Sequence, residues 1–264
     1  MSLEKGDSMK YLLPLSIILM TFQAQAASSY IRFVKPMEQK VITNPHPNGN
    51  GKRFEGCGPV AAAMTMGYWE TERNYQIMHS QDDFDGTDHP FKTINRFYQE
   101  SGTRKAPAKS TADDGKKYNQ SFTLPDLLVK GLKKSVDRAN SKRGNKSKLV
   151  VERAKAAPFR TWDYRLSKLK TQLNKKNPVI VLLHNIPGCL TGKDSKSGGW
   201  HYVVFNGYND SSKKFYVLSG WDELNNTSTH GSSAHVTNGT STLVECSFKE
   251  IKKTNPALFW IQKK

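Results

Sequence analysis

Gly56-Cys57-Gly58-Pro59-Val60-Ala61-Ala62-Ala63-Met64-Thr65-Met66-Gly67-Tyr68-Trp69 reads as a turn that runs straight into a helix and sets one cysteine in the helix's first turn. Pro59 suits an early helical position, where its preset φ helps and the missing N–H costs nothing. Val60, Met64 and Tyr68 recur at i, i+4 and i+8 with alanines between them, which predicts a buried, closely packed helix. A thiol at a helix N-terminus sits at the positive end of the macrodipole, and that field favours the thiolate. Cys57 is therefore a candidate nucleophile. The competing reading is a small buried hydrophobe, the commoner fate of a lone cysteine, and the rest of the chain must separate the two.

Residues 1–26 are read as lying outside the folded domain. Met9-Lys10, the apolar run Tyr11 to Phe22 and then Ala24-Gln25-Ala26 have the form of a secretory signal peptide with an A-x-A cleavage site, preceded by eight upstream residues. The apolar run is too short to span a bilayer, so the expectation is an exported protein, periplasmic or secreted. Residues 27–264 are then one domain, for which 12 Phe, 10 Tyr and 5 Trp supply a core although the hydrophobic fraction is only 36%. A net charge of +17 predicts attraction to an anionic envelope polymer or a membrane surface. No finger spacing, RNA-binding aromatic motif or basic heptad array accompanies it, which argues against specific nucleic-acid binding. No HExxH or CxxC spacing is present, so neither a metal nor another cofactor is expected.

Three cysteines in an exported chain leave one unpaired. If Cys57 is that free thiol, Cys189 and Cys246 remain as a structural pair.

Along the chain, Tyr30 to Val34 reads as a strand and Asn44 to Gly51 as a loop. Asp82 to Asp88 lacks the spacing of a calcium loop and reads as a solvated turn. Pro90 to Gln99 predicts a short helix with Phe91, Ile94, Phe97 and Tyr98 inward. Two basic insertions follow, exposed loops near 101–120 and 138–148, separated by a helix capped at Thr123 to Asp126. Trp162, Leu166, Leu169 and Leu173 mark an amphipathic helix from Thr161 to Lys175, and Val179 to Leu183 is a continuous apolar strand of the kind buried on both faces. Further strands are expected at Trp200 to Gly207, Lys214 to Leu218, Thr242 to Ser247 and Leu258 to Gln262. Helices first and antiparallel strands later indicate an α+β fold.

A cysteine nucleophile needs a base, and the base needs an orienting group. His201 stands out among the seven histidines because it begins the apolar strand His201-Tyr202-Val203-Val204-Phe205 after a glycine-rich loop, Ser197 to Trp200. His184, just after another apolar run, reads as a hydrogen-bonded core residue, and the remaining five as surface residues.

Gly-Cys-Gly-Pro opening a helix that ends in Gly-Tyr-Trp, then Leu-Asn-Lys-Lys-Asn-Pro-Val-Ile-Val, then His201 to Tyr208, resembles the papain-like cysteine peptidases of the bacteriocin-processing, double-glycine-peptidase type. The resemblance covers the two ends of the domain and spares residues 73–160. It implies a papain-like fold with a helical half carrying Cys57 and an antiparallel-sheet half carrying His201. It further implies an oxyanion donor upstream of the cysteine, for which Gln39 in Pro36-Met37-Glu38-Gln39 is the match, with the Cys57 backbone N–H as second donor. The family's orienting Asp would fall at Ser219, and Asp222, three residues on, is the choice for that role, with Ser219 itself and then Asn225 as the alternatives. The leading reading is an exported thiol hydrolase, a cysteine peptidase acting on a peptide or protein substrate through a Cys-His dyad or triad and a covalent acyl-enzyme. Next stand a papain-like acyltransferase, transpeptidase or toxin-like effector with the same nucleophile, and then a catalytically inactive basic module that binds an anionic polymer.

Overall fold

The apolar run at Val179 lies at the centre of the larger of two sheets. The computed structural model describes residues 28–31, 34, 37, 39–43, 51–79, 90–111, 114–144, 148–191, 197–220 and 243–264. Strand β7 (Val179–Ile186) has its first five residues fully buried, as an uninterrupted aliphatic stretch flanked by strands on both edges must be. Strands β8 (Ser197–Asn209), β9 (Lys214–Leu218) and β10 (Leu243–Ser247) extend the sheet on one side. On the other lie β11 (Ala257–Lys263) and β6 (Leu149–Ala154), giving the order β10-β9-β8-β7-β11-β6 with every pairing antiparallel. The short β1 (Ser28–Tyr30) also pairs with β8, at Gly207, where the approach is so close that a Cβ would lie 2.6 Å from the Ser29 carbonyl oxygen. Of the strand expected from Tyr30 to Val34 only Tyr30 lies in β1, Ile31 and Val34 belong to no strand, and residues 32–33 are outside the described residues, as are residues 1–26, expected to be a signal segment, and residues 82–88, expected to be a solvated turn.

Helix α1 (Cys57–Thr71) packs on β8 and β7 with one side and on helices α2 (Phe91–Ser101) and α3 (Pro125–Arg143) with others. It is buried from Gly58 through Trp69, all round rather than along one stripe, which is why small residues fill the positions between Val60, Met64 and Tyr68. In α2, Ile94, Phe97 and Tyr98 face inward as expected, but Phe91 stays 43% exposed. Helix α4 (Trp162–Asn174) lies where its heptad-like leucines place it, with Thr161 accepting a hydrogen bond from the Tyr164 N–H as N-cap.

Three expectations need correction. The stretch near 101–120 is not a loop: β4 (Arg104–Thr111) and β5 (Lys117–Phe122) form a hairpin, and β5 pairs in parallel with β3 (Lys52–Phe54), which pairs with β2 (Val41–Thr43). Its polar residues are partly buried by design of the pairing. Ser101, Thr103, Ser121 and Thr123 are buried, with Thr103 and Thr123 hydroxyls 2.6 Å apart and the Ser121 hydroxyl donating to the Phe54 carbonyl at 2.6 Å. A polar stretch can enter the interior when its hydroxyls satisfy one another and the backbone. For the same reason Thr123 does not cap α3, whose N-cap Leu124 offers no side-chain bond. The second insertion is also mostly helix, since α3 runs on to Arg143 before residues 145–147 leave the described set.

The disulfide Cys189–Cys246 ties the short helix α5 (Gly188–Thr191) to β10. Strand β10 leads into helix α6 (Phe248–Lys253), which the sequence reading overlooked although Ser247 and Glu250 form a complete capping box. No helix among the described residues is long and apolar enough to cross a membrane.

Candidate active site

Two glycines let other strands close on the first turn of α1. Gly56 has φ 90, a value an L-residue resists, and a Cβ there would lie 2.9 Å from the Ser121 carbonyl oxygen. A Cβ on Gly58 would lie 2.7 Å from the Thr123 hydroxyl oxygen. Cys57, between them, is half-buried and is the free thiol. Burial pushes its pKa up, and hydrogen bonds to the sulfur from the backbone N–H groups of Tyr202, Cys57 itself and Gly58 offset only part of that. Burial thus works against the helix terminus, whose field alone favours the thiolate.

The Tyr202 N–H sets the sulfur against the strand that carries His201, its immediate neighbour. His201 is not at the start of its strand but five residues in, because β8 already begins at Ser197 and includes the glycines read as a loop. The ring is 3% exposed, and its Nε2 donates to the Ser219 carbonyl oxygen at 2.8 Å. A carbonyl only accepts, so the neutral ring carries its proton on Nε2 and presents a lone pair at Nδ1. Burial lowers the His201 pKa to about 4, with the Ser219 contact working in the opposite direction. At neutral pH the imidazole is uncharged and able to accept a proton.

The next residue, Gly220, accepts the Gln39 backbone N–H at 3.2 Å. The Gln39 side-chain oxygen is buried without a hydrogen-bond partner among the described residues. A chain of contacts thus links Cys57, Tyr202, His201, Ser219, Gly220 and Gln39, although residues 39, 57, 201 and 219 are far apart in sequence. Asp222 and Asn225 lie outside the described residues. Ser219 contributes to the contact through its main-chain carbonyl, which any residue type could supply. No residue pattern could have disclosed that partner.

Sequence reasoning also overlooked Tyr202. Its N–H faces the thiol, its hydroxyl donates to the Thr123 carbonyl at 3.0 Å, and its ring packs on Phe259 at 6.1 Å between centroids. Beyond Phe259 opens a cavity of about 330 Å³, whose walls include Pro125, Lys155, Phe159 and His184. His184 is hydrogen-bonded, as expected, through Nδ1 to the Asn255 carbonyl at 2.6 Å. It is only half-buried, however, and stands edge-on to the exposed ring of Trp200.

The profile of the Peptidase_C39-like family matches residues 31–237, more than half of the chain. The chain belongs to that family. It is a papain-like cysteine peptidase with an α+β fold. A fragment of Prevotella intermedia prointerpain A superposes with a TM-score of 0.51 at 11% identity, covering 89% of this peptidase and 73% of that chain, a likeness of fold. Interpain A cysteine protease from the same organism gives 0.47 at 13% identity over 89% and 96% of the two chains. Xylellain, a cysteine protease from Xylella fastidiosa, gives 0.40 at 14% over 90% and 87%. No curated protein matches this peptidase significantly.

Proposed function

We propose that this peptidase is an exported enzyme that cleaves a peptide or protein substrate through Cys57 and His201 by way of a covalent acyl-enzyme. The observation that carries the assignment is the 2.8 Å contact of His201 Nε2 with the Ser219 carbonyl, which requires the proton on Nε2 and makes Nδ1 the basic nitrogen, next to the Tyr202 peptide against which the sulfur lies. As Cys57 Sγ attacks the substrate carbonyl carbon, its proton passes to Nδ1, so a raised thiol pKa and a neutral imidazole are a workable pair. The oxyanion that forms takes hydrogen bonds from the Cys57 backbone N–H and the Gln39 side-chain amide. Nδ1 then returns the proton to the departing amine, the C–N bond breaks, and a thioester remains on Cys57. His201 next deprotonates a water, which attacks the thioester and releases the acid while the proton restores the thiol. The Ser219 carbonyl holds the ring throughout and favours the imidazolium that forms in each half-reaction.

The test is a casein digest followed with and without iodoacetamide, beside the Cys57→Ala protein. Alkylation mapped to Cys57 and loss of cleavage in both samples is the expected result. Undiminished cleavage by Cys57→Ala would remove the thiol from the chemistry.

A further inference from the structure

The smaller sheet carries more positive charge than its fold requires. Lys52, Arg104, Lys105, Lys109, Lys116 and Lys117 are all exposed, and none forms an ion pair with a described residue. Against these six cations the described part of the hairpin turn offers one carboxylate, Asp114. Asp114 is already held by the Tyr118 hydroxyl at 2.7 Å and the Lys116 N–H at 3.0 Å, with Lys116 and Lys52 nearby, and these hold its carboxyl below the usual range.

The position of this sheet is as informative as its charge. Strand β3 leads through Glu55 and Gly56 directly into Cys57, and the far end of β5 packs on that turn through Ser121. Arg104 and Lys105 lie opposite Phe122 and Ser121, at the end nearest the thiol, while Lys109 and Lys117 lie toward the hairpin tip. At about 3.3 Å per residue, the six residues of β5 span about 20 Å, the length of about six extended residues of another chain. The outer edge of β4 is poorly suited to adding a strand, because Pro107 lacks a donor and the ladder shifts register between Lys105 and Lys109. Recognition there would be by charged side chains rather than by backbone pairing.

We propose that this basic sheet docks an acidic segment of the polypeptide substrate and holds it beside Cys57. The proposal rests on the peptidase reading for its catalytic consequence, but its binding step can be measured without cleavage. Clefts and surfaces of one sign raise encounter rates with oppositely charged partners by tenfold or more, and the effect fades as salt shortens the Debye length.

The experiment uses the full chain carrying Cys57→Ala and fluorescence anisotropy with labelled twelve-residue probes. A glutamate-rich peptide should bind, a Gly/Ser peptide should not, and affinity should fall steadily with added salt. Replacing Lys105, Lys109 and Lys117 together by Glu should weaken the glutamate probe by about tenfold or more. The neutral Gln triple variant guards against misfolding and should show a smaller loss, whereas Lys252→Glu on α6, which packs on β10 of the larger sheet, should show none. Equal binding by wild-type and triple variants overturns the proposal, and so does preference for single-stranded DNA or anionic lipid vesicles over the glutamate peptide. With Cys57 intact, a cleaved neutral peptide extended by six glutamates should be cleaved with a KM about tenfold lower. A neutral peptide that is cleaved without any gain from the tail overturns docking and leaves the peptidase intact. If no peptide is cleaved, it is the peptidase reading that fails, and anisotropy still decides docking.

Discussion

Protonating His201 should cost this protein both activity and stability, over a pH window that follows from its burial. The ring is 3% exposed and its pKa is lowered from 6.5 to about 4, mainly by desolvation. The unfolded chain, with an ordinary histidine, therefore binds more protons than the folded one between those values, and stability falls as pH drops through the window. The contribution is fully present above pH 6.5 and fully lost below about 4, a span worth about 3 kcal/mol. Urea unfolding followed by tryptophan fluorescence, in wild type and His201→Gln, isolates this term because titrating carboxylates affect both proteins alike. The wild-type advantage should shrink by about 3 kcal/mol between pH 7 and pH 4. In parallel, the acid limb of kcat/KM should lie near pH 4 rather than near 6.5, since only the neutral ring accepts the thiol proton. An acid limb at or above pH 6.5, with a stability difference that does not narrow on acidification, would refute the reasoning. It would mean that a carboxylate holds the ring charged, and would return the orienting role to Asp222.

Gln39→Ala should lower kcat by about a hundredfold to a thousandfold with little change in KM if its amide serves the oxyanion, and kinetics on any cleaved peptide would check it. Gly58→Ala places a Cβ 2.7 Å from the Thr123 hydroxyl and 2.9 Å from the Thr123 Cβ. It should destabilise the fold by about 1–3 kcal/mol, read as a lowered urea midpoint. Reducing Cys189–Cys246, which closes a separation of 57 residues, should cost about 4 kcal/mol by the chain-entropy estimate, and Cys246→Ala should reproduce the loss in unfolding experiments.

What could be read from the chain was what depends on neighbours in sequence. The alanine-rich helix after Cys57, the aliphatic run at Val179 and the leucine stripe of α4 are local patterns of apolar spacing that form where their period says, and the strand carrying His201 forms too but starts earlier, at Ser197. The free thiol and its partnered cysteines followed from parity. The hairpin at 104–122 was not legible, because its strands are polar and their stability comes from hydroxyl contacts made by Ser121 and Thr123 with residues such as Phe54 and Thr103. Capping of α3 was misread for the same reason, since the hydroxyl assigned to the helix is spent on that network.

The sequence by itself determined which residues are chemically able to act: a cysteine at a helix start, a histidine on an apolar strand, an upstream glutamine and an excess of lysines. Tertiary structure alone decided how they are poised. The sign of the Cys57 shift depends on how much water the fold removes from the sulfur, which outweighs a helix terminus whose field is fixed by sequence. The imidazole's partner is a main-chain carbonyl, a group that every residue carries and that only the path of the backbone brings to the ring.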